Sequence, residues 1–336
     1  MPLRRMLRVL LGGAMLTGLV FSAGPAAAQS RHATRPIVNF AIPGDAVFPE
    51  GVASDPRTGF FYVGSSTDGT IYRGRPDRRT MEVFLPGGAD GRTAATGMKV
   101  DRQGRLYVSG AATGQMWVYD THNRKLVRHF DTGLRGPNTF INDVTVTPSG
   151  DAYFTDSVAP VLWRVPAAAV RHRDPTVAAP QRFLDFTGTA VVYQAGFNLN
   201  GIWFAAGGRQ LVTVQSNTGK LFRIGVADRS VAEIPVAGGP LTNGDGILLA
   251  GPVLFVARNA NQLIVTVGLD RRLRSGRVLA QFTDPALHTP TTLALSGTRL
   301  LVVNSQFDRQ GPGLVPDLPF TVSGMPLERV LLGQAG

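Results

Sequence analysis

The sequence predicts an all-β chain built as a six-bladed β-propeller and closed by an N-terminal strand. Its first support is a short recurring pattern, a polar residue followed by a small or polar one and then an apolar strand. The copies are Glu50-Gly51-Val52, Thr96-Gly97-Met98, Asn142-Asp143-Val144, Asn200-Gly201-Ile202, Asp245-Gly246-Ile247 and Thr291-Thr292-Leu293. Their leading residues stand 46, 46, 58, 45 and 46 apart, and repetition every 40 to 50 residues or so is the mark of propeller blades. The second support is composition: 40 glycines and 23 prolines in 336 residues suit many short strands joined by turns and weigh against an all-helical chain. The third is a spare strand at the N-terminal end, argued below.

Residues 1–28 read as an export signal. Arg4, Arg5 and Arg8 form a basic start, residues 9–21 an apolar stretch of 13, and Ala26-Ala27-Ala28 a small-residue cleavage site before Gln29. Thirteen residues are too few to span a bilayer, and Gly24-Pro25 would interrupt a longer helix, so no stable membrane anchor is expected after cleavage. The expected destination is periplasmic or extracellular. With no cysteine in the chain, disulfides, thiol nucleophiles and cysteine metal sites are excluded.

The mature chain, 29–336, reads as a single propeller domain. Blade one gives Gly51 to Ser54, FFYVGS, TIYRG and MEVFLPG, and blade two gives GMKVD, RLYVSG, QMWVYD and KLVRHFDTG. Blade three gives DVTVT, AYFTDS, VLWRV and QRFLDF, its longer period coming from an insertion at 166–180 that is expected on a loop or short surface helix. Blade four gives IWFAA, LVTVQ, KLFRIG and VAEIPVAGG; blade five gives ILLAG, LFVARN, QLIVTVG and GRVLAQF. The sixth repeat has LALSG, LLVVNS and LPFTVSGMPL but no fourth strand in sequence order. IVNFAIPG at 37–44 resembles the outer strands of other repeats and is expected to supply it, closing the ring and pairing its open edges.

The formal charge of +11 falls to +8 once the three leader arginines are set aside. Basic residues cluster at 75–79, 121–125 and 270–277, the same turn of different repeats, which reads as solvated hairpin tips and not as a nucleic-acid surface.

If the blades are equivalent, Glu50, Thr96, Asn142, Asn200, Asp245 and Thr291 form a ring at the mouth of the central channel. Four of these carry oxygen donors of the kind a hard divalent cation takes, two carboxylates and two amide carbonyls. Without a cation, two converging carboxylates would repel. Taken singly, Asn200-Gly201 also fits a hairpin turn and Glu50 a loop carboxylate; their shared register favours a site. Phe48, Phe140 and Phe197 precede ring residues and either wall a pocket or pack between blades. His288 could reach the mouth or stay in its loop, Asp156 is expected to bond turn amides, and QSNTGK at 215–220 is expected to be a hairpin turn.

Pro49-Glu50-Gly51, FINDVTVTPSGDAYFTDS, NGIWFAAGGRQLVTVQS and GDGILLAG together resemble the gluconolactonase, regucalcin and senescence-marker-protein family of six-bladed propellers. That resemblance covers nearly all of the mature chain. It implies a divalent ion, usually calcium, held directly by Glu50, Asn200 and Asp245. Asn142 is implied as a fourth ligand or as a contact to substrate or water. It also implies metal-dependent hydrolysis of a small lactone or ester, with Asp245 as ligand and nearest base and Asn142 orienting substrate or water. Arg92 is the one residue placed for an arginine-bearing substrate loop, and it fits a solvated position equally well. A non-catalytic propeller, binding a ligand or partner protein with calcium stiffening its mouth, is the reading from a different class.

Overall fold

The computed structural model describes residues 35–333; the leader and its cleavage site lie outside the described residues. Six sheets are arranged so that the first strand of each touches the first strand of the next, and the sixth touches the first. These inner strands are Pro49–Ser54, Met98–Val100, Ile141–Val146, Leu199–Ala205, Gly244–Ala250 and Pro290–Ser296. The molecule is a six-bladed β-propeller, and among the described residues Leu327–Leu332 is the one short α-helix, after the last blade strand. Among the described residues no helix is long and apolar enough to cross a membrane.

The core is divided into six layers, one between each pair of neighbouring blades. Middle strands such as Phe61–Ser65 and Ala152–Asp156 are therefore covered on both faces, so all five of their residues are buried. This is why the sequence shows continuous apolar runs there and not alternation. The ring closes as expected. Val38–Ile42 pairs antiparallel with Phe320–Pro326 from Val38↔Gly324 to Ile42↔Phe320, as outermost strand of the sixth blade. Its Phe40 meets Phe61 of blade one edge-on, ring centroids 5.0 Å apart.

Two details differ from expectation. The insertion at 166–180 forms a 3-10 turn, Ala167–Val170, and then a two-residue strand, Val177–Ala178, which adds parallel to the outer strand of blade two. VAEIPVAGG is likewise split: Val231–Ile234 stays in blade four, while Val236–Ala237 crosses to lie parallel beside the outer strand of blade five. Pro235, at the break, has no N–H to continue a ladder.

The second residue of the recurring pattern is where the inner strands come closest. A Cβ on Gly51 would lie 2.1 Å from Thr96 O, on Gly97 2.4 Å from the Asp143 Cα, and on Gly201 2.4 Å from Asp245 O. These glycines let adjacent blades meet at the channel.

A ring of bulges at the channel mouth

Blade by blade, the ladder between first and second strands shifts register at the start of the inner strand. The shifts fall between Pro49/Val52, Ile141/Val144, Leu199/Ile202, Gly244/Ile247 and Pro290/Leu293. Glu50, Asn142, Asn200, Asp245 and Thr291 each sit inside such a bulge, and Thr96 stands two residues before its own inner strand. A bulge re-aims the side chain it carries. All six residues are buried, at 6 % exposure or less.

The two threonines are committed to the scaffold. Thr291 Oγ1 donates to Glu50 O at 2.7 Å across the closing blades, and Thr96 Oγ1 lies within 3.2 Å of Ser109, Ile141 and Asn142 carbonyls. The other four line a cavity of about 600 Å3, in the range of small-molecule sites. Among their buried side-chain atoms, Glu50 Oε2, Asn142 Oδ1 and Asn200 Oδ1 have no hydrogen-bond partner. Orphaned buried oxygens are rare and call for an explanation. Asp245 Oδ2 accepts from Asn259 Nδ2 at 2.8 Å.

Three of the ring residues, Asn142, Asn200 and Asp245, are held by polar side chains from the neighbouring strand. Ser66, Ser157, Ser216, Asn259 and Ser305 occupy one position just past the second strand of five blades. Ser157 accepts from Asn142 Nδ2 at 2.9 Å and donates to Leu199 O at 2.7 Å; Ser216 accepts from Asn200 Nδ2 at 3.2 Å and donates to Gly244 O. The serines and Asn259 recur with the blades and were readable as a second periodic signal.

The electrostatics follow from burial. Burial holds the Glu50 carboxyl well above the usual carboxylate range, and the charges of Asp245 and Asp143 push the same way against Lys99. Burial raises Asp245 to about 7, against hydrogen bonds from Asn259 and Asn200. Lys99 lies farther along the blade-two strand with its ammonium 4.2 Å from the Trp203 ring centroid. Asp143 accepts from Val144 N and Ile202 N at 2.8 and 3.0 Å, so it ties blade three to blade four. Neither Lys99 nor Asp143 was singled out by sequence. Two buried acids and two amide oxygens, with the Lys99 charge acting on Glu50, make a set that fits a hard divalent ion. Among the described residues no cluster of three or more His, Cys, Asp or Glu is placed to hold a metal; half of this donor set is amide.

The remaining sequence candidates separate cleanly. Phe140 and Phe197 wall the cavity, edge to face at 4.9 Å, joined by Phe307 from a 3-10 turn that the sequence did not mark. Phe48 packs instead against Phe320 in the core at 5.0 Å. Asp156 accepts from the backbone N–H of Phe140, Val158 and Ala159, as expected, and so fixes the Phe140 loop. Arg92 is neither solvated nor part of the cavity. It is buried, donating to Gly69 O at 2.6 Å, Pro86 O at 3.0 Å and the Tyr119 hydroxyl. His288 is absent from the lining. Residues 215–220 turn between Gln210–Gln215 and Lys220–Gly225.

No family model matches the chain, and no curated protein matches it by sequence. Solved structures do. Regucalcin from Agrobacterium tumefaciens str. C58, described as a calcium-binding protein, superposes with a TM-score of 0.60 at 15 % identity, over 84 % of this chain and 90 % of that one. The fold is a regucalcin-like propeller. The major allergen Mala s 1 of Malassezia sympodialis gives 0.61 at 15 % identity over 85 % and 95 %. A luciferin-regenerating enzyme gives 0.57 at 14 % over 86 % and 95 %. Binding proteins and enzymes thus share this architecture, and the ring residues must argue the function.

Proposed function

We propose that the protein is an exported, calcium-dependent hydrolase of small lactones or related esters. The observation that carries this is the set of buried oxygens without partners, Glu50 Oε2, Asn142 Oδ1 and Asn200 Oδ1, gathered with Asp245 at one cavity. Glu50, Asn200 and Asp245 would hold the ion directly and Asn142 would lie beside it. A structural neighbour described as a calcium-binding protein and another described as an enzyme lend support. The bound ion supplies Lewis acidity toward a carbonyl oxygen and toward water.

The chain's own residues do the rest. Phe140, Phe197 and Phe307 give one side of the cavity an apolar wall. Asn142, its amide N–H engaged by Ser157, presents its oxygen to orient water or substrate. Asp245 keeps one oxygen beside Asn259 and would turn the other to the ion, and it is the carboxylate nearest to serve as base.

The test is a lactone and ester panel assayed with calcium, with chelator and after readdition of calcium. Ring opening that is lost and restored, and reduced at least tenfold by Asn142→Ala with calcium affinity largely kept, supports the reading. Tight calcium binding with no turnover of any member would replace it with a ligand-binding propeller. Export is tested by intact mass, with a mature chain beginning at Gln29 expected.

A further inference from the structure

We infer that the channel-mouth cavity takes an uncharged, aryl-bearing ligand, its aryl group against the wall of Phe140, Phe197 and Phe307; this rests on the hydrolase reading for its chemistry but not for its binding. Among the described residues that line the cavity, Glu50 and Asp245 are the charged ones, and no Arg, Lys or His is present. Both belong to the ion-holding set. A ligand's remaining charges would therefore find no counter-charge.

Away from the ring the cavity offers an aromatic wall beside polar side chains such as Ser66, Asn217, Asn243 and Gln310. Phe140 and Phe197 stand edge to face with centroids 4.9 Å apart, and Phe307 adds a third ring. Phe197 is 49 % exposed although it is a large apolar side chain at a cavity wall. The loops that deliver Phe197 and Phe307 also leave Val192, Leu314, Val315 and Leu318 exposed. Aromatic rings prefer edge-to-face or offset partners, so an aryl group extends the Phe140–Phe197 pair.

The probe is 4-phenylcyclohexanone, a neutral ring carbonyl that cannot be hydrolysed, titrated by calorimetry into calcium-loaded full-length protein beside cyclohexanone and myo-inositol. Expected is saturable binding of the phenyl compound at least tenfold tighter than cyclohexanone, with inositol bound more weakly than the phenyl compound. Phe140→Ser and Phe197→Ser should each weaken phenyl binding about tenfold with calcium affinity unchanged. Phe197 is half exposed, so its variant carries the test should Phe140→Ser fail to fold. Inositol binding as tightly as the phenyl compound, or phenyl binding indifferent to both substitutions, overturns the inference. Phenyl binding without turnover of any ester keeps it and overturns the hydrolase; turnover of sugar lactones in preference to aryl lactones does the reverse.

Discussion

The Ser157 hydroxyl accepts from the Asn142 side-chain amide at 2.9 Å while giving its own proton to Leu199 O at 2.7 Å. A hydroxyl has one proton to give. Because that proton goes to the backbone of the next blade, Asn142 must meet it with N–H and turn its carbonyl to the cavity. Ser216 imposes the same choice on Asn200.

It follows that Ser157→Ala and Ser216→Ala each free an amide to rotate its N–H inward, where it opposes a cation. Calorimetric calcium titration should show about tenfold weaker binding in each variant, in line with the loss seen when groups orienting a metal ligand are removed. Near-wild-type melting without calcium would show that orientation, not folding, is affected. Unchanged affinity would remove the serines from this role.

Calcium should raise the melting temperature and a chelator lower it, since an ion that binds the folded state stabilises it by mass action. Asp245→Asn should lose the calcium response yet melt higher than wild type in chelator at pH 8. It removes a buried charge without changing the shape of the side chain.

The pH dependence has a definite sign. Asp245 titrates near 7 in the folded protein against an ordinary value of 3.8, so the folded state holds the proton more tightly than the unfolded chain. This contribution is fully present below about pH 4 and is lost as pH rises through about 7, on the order of a few kcal/mol. Without metal, melting temperature should fall between pH 5 and 8. Calcium binding requires the ionised form and should tighten over the same interval with release of protons. A flat metal-free profile would contradict the placement of these acids.

Much of this was legible in the sequence, and the reason is physical. The recurring pattern combines a bulge, which aims its first residue at the channel, with a glycine in four of the six copies, where neighbouring strands touch. Asp143 and Thr292 hold that slot in the other two. The amide orientations were not legible, because they depend on serines one strand away. Nor were Val177–Ala178 and Val236–Ala237, two-residue strands too short to show a period. Phe307 reaches the cavity from a connection whose path no local pattern specifies.

Gly97→Ala should be among the most damaging single substitutions in the protein. Its Cβ would lie 2.4 Å from the Asp143 Cα and 2.5 Å from Asn142 O, backbone atoms that cannot move without parting blades two and three. A loss of about 2 kcal/mol or more, read by denaturant melting, is expected for overpacking of this kind. Gly88→Ala, with open space around it but a φ of 74°, should cost about 1 kcal/mol.

The pairing of Val38 with Gly324 places the earliest and latest stretches of the described chain in one blade. During synthesis at about 5–20 residues per second, Val38 waits roughly 15–60 s for its partner to leave the ribosome. Until then blade six has no outer strand, and the ring stays unlocked. The protein therefore carries a timer: whatever acts on the nascent chain in that interval meets an open array of blades and not a closed ring.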